Sequence, residues 1–187
     1  MIATVMNRHV NDLDLAALSK VVDAIGDDPS QALTEFRVTT RWTGQTRSET
    51  TVEGFTLGGE RIARRHKIVA DEPCQLLGTD SAPNPQELLM AAFNACITVG
   101  YVAGAALKGI ELDSLEIETH GELDLRGFLG LDDSVPPGYQ RIGYEVRIKG
   151  DGSARDFEEI HQTVMKTSPN YFNMSRPIAM EGVLRVD

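Results

Sequence analysis

Cysteine is scarce in this chain: Cys74 and Cys96 are the only two among 187 residues. Two thiols cannot form a disulfide scaffold, and the pair fits a reducing compartment. Positive charge is also short, with 18 Lys and Arg against 28 Asp and Glu and a net charge of −10. Phosphate backbones need a basic surface, so no nucleic-acid partner is expected, and the excess negative charge serves solubility. Met1 to Asp14 lacks the charged-then-apolar pattern of a secretory signal, and the expected location is cytoplasmic. There is no phosphate loop, no dinucleotide fingerprint and no serine-centred nucleophile elbow. The four histidines are His9, His66, His120 and His161. None stands at ligand spacing from another His, a Cys or a carboxylate, so neither a metal site nor a cofactor is expected. His161 follows Glu158 and Glu159 and reads as part of a solvated helix face. Internal repeats, low-complexity runs and long linkers are absent too.

What is there suits a globular domain with a sizeable core: 41% hydrophobic and 25% charged residues. Long uncharged runs are limited to one, Leu88 to Leu107 (LLMAAFNACITVGYVAGAAL). Its length could span a bilayer. It holds Asn94, Thr98, Gly100 and Gly104, however, and lacks flanking aromatic belts and a basic cluster. A helix buried in a soluble core is the expectation, with no membrane partner.

The rest of the chain alternates between helical and extended patterns. Residues 11–25 carry Leu15, Leu18, Val22 and Ile25 at helical spacing, with Asn11 as a cap. Three extended segments follow: Leu33–Trp42, Gln45–Phe55 and Ile62–Val69. Gly44 and Gly58-Gly59 make the turns of an antiparallel meander. A turn-rich loop, Gly78–Pro85, leads to the long helix from Gln86 to Lys108, which Gly109 ends. Strands are expected at Leu112–Leu125, Arg141–Lys149 and Ile178–Val186, and a helix at Asp156–Lys166. The class is α+β with a mostly antiparallel sheet packed on helices.

Cys96 lies on the long helix. At about 100° per residue it shares a stripe with Leu88, Ala92, Val99 and Ala103. Read alone, that makes it one more buried cysteine, and most of those are inert. It lies too far into the helix for the dipole to act on it, so activation would need a nearby cation such as arginine. Gly100 and Gly104, four residues apart, open one face of the same helix to close packing.

Residues 71–110 resemble the central signature of the OsmC/Ohr family. Asp71-Glu72-Pro73 ends a strand, Leu77-Gly78-Thr79-Asp80 follows, and Asn84-Pro85 precedes an Ala-rich helix that leads to Cys96. Arg41-Trp42-Thr43-Gly44 is similar to the family's early Trp-x-Gly turn. Thr167-Ser168-Pro169 and Arg176-Pro177 match late in the chain. The resemblance spans roughly residues 33–187. It divides the chain into an N-terminal helical extension, residues 1–30, and a single OsmC-like domain, residues 31–187. It implies an intertwined homodimer with sheets wrapped around long central helices.

The resemblance also implies a thiol peroxidase. Cys96 stands at the attacking position, forming a sulfenic acid with an organic hydroperoxide. Arg47, just past the Trp42–Gly44 turn, stands for the activating arginine, with Arg37 and Arg41 as alternatives. Two departures from the family pattern stand out. The late resolving cysteine is replaced by Ser168, which cannot form a disulfide, and Cys74 lies on another element. An external small-molecule or protein thiol is therefore the expected reductant. The glutamate that follows Asn-Pro and pairs with the arginine is replaced by Gln86, with Glu87 next. Apolar neighbours such as Phe93 and Val99 favour an organic substrate. The alternative is a small-ligand-binding or redox-sensing protein of the same fold without efficient turnover.

Overall fold

The computed structural model describes residues 9–186, so what the sequence implied for residues 1–8 of the extension lies outside the described residues. The chain forms two compact units, one running to Ala91 and one starting at Ala92.

The first unit opens with a hairpin, β1 (His9–Val10) and β2 (Leu13–Asp14). Its turn residues Asn11 and Asp12 have φ of 52° and 60°, the left-handed pair a two-residue hairpin turn demands. Asn11 is thus committed to the turn and cannot cap the helix. That role falls to Asp14, which accepts from the Ala16 and Ala17 N–H groups at 2.9 and 3.0 Å, and helix α1 runs Leu15–Asp27.

Four antiparallel strands follow: β3 (Thr34–Phe36), β4 (Thr39–Gly44), β5 (Arg47–Leu57) and β6 (Glu60–Ala70). The single strand expected over Leu33–Trp42 breaks at Arg37 and Val38. Its two pieces pair with opposite ends of β5, through Phe36–Phe55 and Thr39–Thr51. On the other side β6 pairs along nearly all of β5, with a bulge between Val52 and Gly54.

The loop after β6 is organised by one carboxylate. Asp71 is only 1% exposed. Its Oδ1 accepts from Thr46 Oγ1 (2.8 Å) and Glu72 N (2.9 Å). Its Oδ2 accepts from the N–H and hydroxyl of both Thr79 and Ser81, at 2.6 to 3.2 Å. These donors, the Thr79 hydroxyl foremost, hold the carboxyl far below the usual carboxylate range.

Helix α2 spans Pro85–Lys108, within one residue of the expectation. Asn84 and Glu87 form a reciprocal cap at its start: Glu87 N–H donates to Asn84 Oδ1 (2.9 Å) and Asn84 N–H donates to Glu87 Oε2 (2.8 Å). Gly109, at φ 73°, ends it. Among the described residues, α2 is the one helix long and apolar enough to cross a membrane. Here Phe93, Ile97, Tyr101 and Ala105 form instead the spine of the second unit's core.

Around that spine lie an antiparallel pair, β7 (Leu112–Gly121) and β8 (Ile142–Gly150), and helices α4 (Ala154–Thr167) and α5 (Pro169–Ser175). A short helix, α3 (Leu125–Phe128), interrupts the long connection between β7 and β8. Leu115, Ile117, Val146 and Ile148 face the core from the strands. Asn94 ties α2 to β7, donating to Ile117 O (3.2 Å) and accepting from Thr119 Oγ1 (2.5 Å).

The strand expected at Ile178–Val186 is not formed. No described strand pairs with it, and Leu184 is 89% exposed. Alternation marks a segment able to pair, but a strand also needs a neighbour. All the described strand pairs are antiparallel and are combined with helices, so the α+β class stands.

Candidate functional site

The core stripe of α2 lies one residue away from the stripe expected for Cys96. Phe93, Ile97, Tyr101 and Ala105 are buried, while Cys96 is half-buried, Ala92 is exposed and Val99 is 69% exposed. A 3.6-residue period fixes which residues share a face but not which face turns inward. Placed between the buried and open sides, Cys96 is no ordinary core cysteine. It is a free thiol. Phe93, expected beside it, is committed to the core, where its ring meets Tyr144 edge-on at 5.3 Å between centroids.

Helix α4 lies against α2 in a register set by the two glycines. A Cβ at Gly100 would come within 3.0 Å of Val164, and one at Gly104 within 3.0 Å of Ile160. Continued one step along each helix, that register carries Ser168 to Cys96. Their Sγ and Oγ atoms are 3.4 Å apart.

Ser168 is 7% exposed and is the N-cap of α5, accepting from Tyr171 N–H at 3.3 Å. A hydroxyl has one proton. With a lone pair engaged by Tyr171, that proton is free to point at the sulfur. Two residues on, Asn170 Nδ2 donates to Ala92 O (2.8 Å) and clamps α5 to α2 one turn before Cys96. The thiol therefore sits between two helices, half-buried, with a buried hydroxyl within hydrogen-bond distance of it.

The same packing holds a residue that sequence reading misassigned. His161, expected on a solvated face, is half-buried and its Nδ1 hydrogen-bonds the hydroxyl of Tyr101 at 2.5 Å. Tyr101 is 1% exposed, and burial, aided by the nearby Tyr144 and Glu158, pushes its pKa up to about 12. Nothing near His161 in sequence signals this, because its partner is sixty residues away.

The other expected site residues belong to the first unit. Arg47, on β5, pairs with Glu49 at 3.4 Å, and Glu49 also holds Lys67 at 2.6 Å. These cations, Lys67 foremost, lower the Glu49 pKa. Of the alternatives, Arg37 pairs with Glu35 (2.8 Å), while Arg41 lines a hollow of about 420 Å³ with Arg64 and Arg65. Gln86 is exposed on the first turn of α2, and Glu87 beside it is the helix cap described above. Cys74 is an exposed free thiol on a 3-10 turn, Cys74–Leu76. Among the described residues no cluster of three or more His, Cys, Asp or Glu is arranged to hold a metal ion.

Comparison with known proteins gives a consistent result. A family model described as OsmC-like protein matches residues 78–181. No curated protein matches the chain. Among solved structures, an OsmC-like protein of unknown function from Vibrio cholerae superposes with a TM-score of 0.58 at 12% identity, covering 75% of this chain and 93% of that one. An OsmC-like protein from Mycoplasma pneumoniae gives 0.56 at 17% identity, covering 75% and 87%. At these identities the likeness is one of fold.

Proposed function

Because the chain belongs to the OsmC-like protein family, we propose that it is a thiol peroxidase in which Cys96 reduces an organic hydroperoxide. The observation that carries this reading is the placement of the Cys96 sulfur, half-buried and 3.4 Å from the buried Ser168 hydroxyl.

The thiolate attacks the terminal oxygen of R–O–O–H and the O–O bond breaks. The departing alkoxide takes up a proton and leaves as ROH. The sulfur, oxidised by two electrons, becomes a sulfenic acid. The Ser168 proton directed at the sulfur supports the charged form before attack. The family resemblance supports Arg47 as the activating cation.

Ser168 cannot resolve the sulfenic acid. An external thiol therefore condenses with it, releasing water and leaving a mixed disulfide. A second thiol then attacks that disulfide, restoring Cys96 and releasing the oxidised dithiol. A cytoplasmic setting supplies such thiols.

The reading includes a homodimer. In the first unit only Val10 and Asp71 are buried among the described residues, while Phe36, Val38, Trp42, Ile62 and Ile68 stand exposed on its strands and their connections. So much open apolar surface calls for a cover, and a second copy supplies one. The unpaired segment Ile178–Val186 gains its strand partner in the same assembly. Sedimentation should give twice the chain mass.

The test of the chemistry is trapping. Protein treated with cumene hydroperoxide and dimedone should carry one adduct, on Cys96, and Cys96→Ser should carry none. Labelling confined to Cys74, or none, overturns the reading.

A further inference from the structure

The connection between β7 and β8 is longer than pairing needs. The strands are in register to their ends, at His120–Gly143 and Gly121–Ile142. A two-residue turn would close them there. Instead residues 122–141 leave the sheet, roughly twenty residues that include α3, where a hairpin loop usually has about 2–5.

The excursion is built, not loose. Asp124 caps α3 and holds Arg126 in a bidentate pair, and Arg126 also reaches Asp132 at 3.6 Å. Asp132 folds the next turn through the N–H and hydroxyl of Ser134. A Cβ at Gly127 would lie 2.5 Å from the carbonyl oxygens of Val135 and Pro136, so the two limbs of the loop touch as only glycine permits.

Between this loop and the end of the hairpin lies a cavity of about 1010 Å³. Leu123, Leu125, Val135 and Pro136 give it apolar walls. Its charged lining divides sharply. Asp124 is spent on Arg126. Arg141 and Glu122 both line the cavity, yet neither forms an ion pair with the other or with any described residue. His120 completes the wall, its imidazole lying across Gly143, where a Cβ would sit 2.5 Å from Nε2.

We propose that this cavity binds a small zwitterion with an apolar body, of the class of an apolar amino acid or short apolar peptide. Its carboxylate pairs with Arg141, its ammonium pairs with Glu122, and its side chains lie against Leu123, Leu125, Val135 and Pro136. An uncombined cation and an uncombined anion in one apolar-walled space complement a ligand carrying both charges. A ligand with a single charge can pair with only one of them. The inference is independent of the peroxidase chemistry, because no residue of this cavity takes part in the thiol site.

Calorimetric titration of the full-length protein with the dipeptide Phe-Leu, against decanoate and decylamine, tests it. Saturable one-to-one binding of the dipeptide is expected, with each of Arg141→Gln and Glu122→Gln weakening it at least about tenfold. Both variants should retain Cys96 oxidation by hydroperoxide, which shows that they fold. Binding of decanoate or decylamine as tight as that of the dipeptide, dipeptide binding unmoved by the two substitutions, or no saturable binding overturns the proposal.

Discussion

The Cys96 sulfur and the Ser168 hydroxyl, brought together by α2 and by the junction of α4 with α5, lie 3.4 Å apart. A thiol placed at 168 would thus face Cys96 directly. In Ser168→Cys, peroxide should produce an intramolecular disulfide, and dimedone should no longer trap Cys96. Ser168→Ala should slow oxidation by removing the hydroxyl proton, and Arg47→Gln should slow it roughly 100-fold. Intact-mass analysis and rapid-mixing kinetics check the three variants. A dimedone-reactive Ser168→Cys with no disulfide contradicts the geometry.

The α2–α4 register rests on Gly100 and Gly104. Gly100→Val and Gly104→Val should each cost about 1–3 kcal/mol by overpacking against Val164 and Ile160. Gly26→Ala, in α1 with no atom within 4 Å of the added carbon, should instead be neutral or stabilise by up to about 1 kcal/mol. Denaturant unfolding measures all three, and equal losses would remove the glycines' packing role.

Acid should weaken the fold through Asp71 and Asp156. The Asp156 pKa is lowered from 3.8 to about 2 by the Ser153 hydroxyl and then by Lys108, and Asp71 is held lower still. A depressed carboxyl contributes stability above its unfolded pKa and loses it as pH falls toward the folded value. Melting temperature should therefore drop between about pH 4 and about pH 2. In Asp156→Asn that drop should be shallower. Parallel curves for wild type and variant would contradict the assignment. Independently, Ser153→Ala, which removes the α4 cap, should cost about 1 kcal/mol.

At the alkaline end the relevant group is Tyr101. Its pKa is raised from 10.0 to about 12, so the stability it contributes is intact below pH 10 and lost as pH rises through 12. Tyr101→Phe should cost about 1 kcal/mol at neutral pH, through loss of the His161 bond, and should flatten the alkaline limb. An unchanged alkaline limb in the variant would point to other groups.

What could be read in the sequence divides by the range of the forces involved. Local signals worked. The apolar run and the Asn84-Pro85 start placed α2, and Gly100 and Gly104 marked the face that α4 occupies. Elements that depend on distant partners did not appear. Phe36 and Thr39 look continuous until each is seen pairing with a different end of β5. Ile178–Val186 alternates like a strand, yet no described strand pairs with it. The loop over Gly78–Pro85 was legible as turn formers, but Asp71 as its organiser was not, since six hydroxyl and amide donors converge there only after folding. At the site, Cys96 and Ser168 were legible as a pair only through family resemblance. The face that Cys96 presents was misplaced by one residue because periodicity does not say which side turns inward.

The most direct test of the central claim is stopped-flow oxidation of the reduced protein by cumene hydroperoxide, repeated with a dithiol present and with Cys96→Ser. The expected result is oxidation well above the rate of a free thiol, abolished in the variant, with sustained turnover when the dithiol is supplied. Oxidation no faster than that of a free thiol would contradict the peroxidase assignment and leave the fold to a binding role.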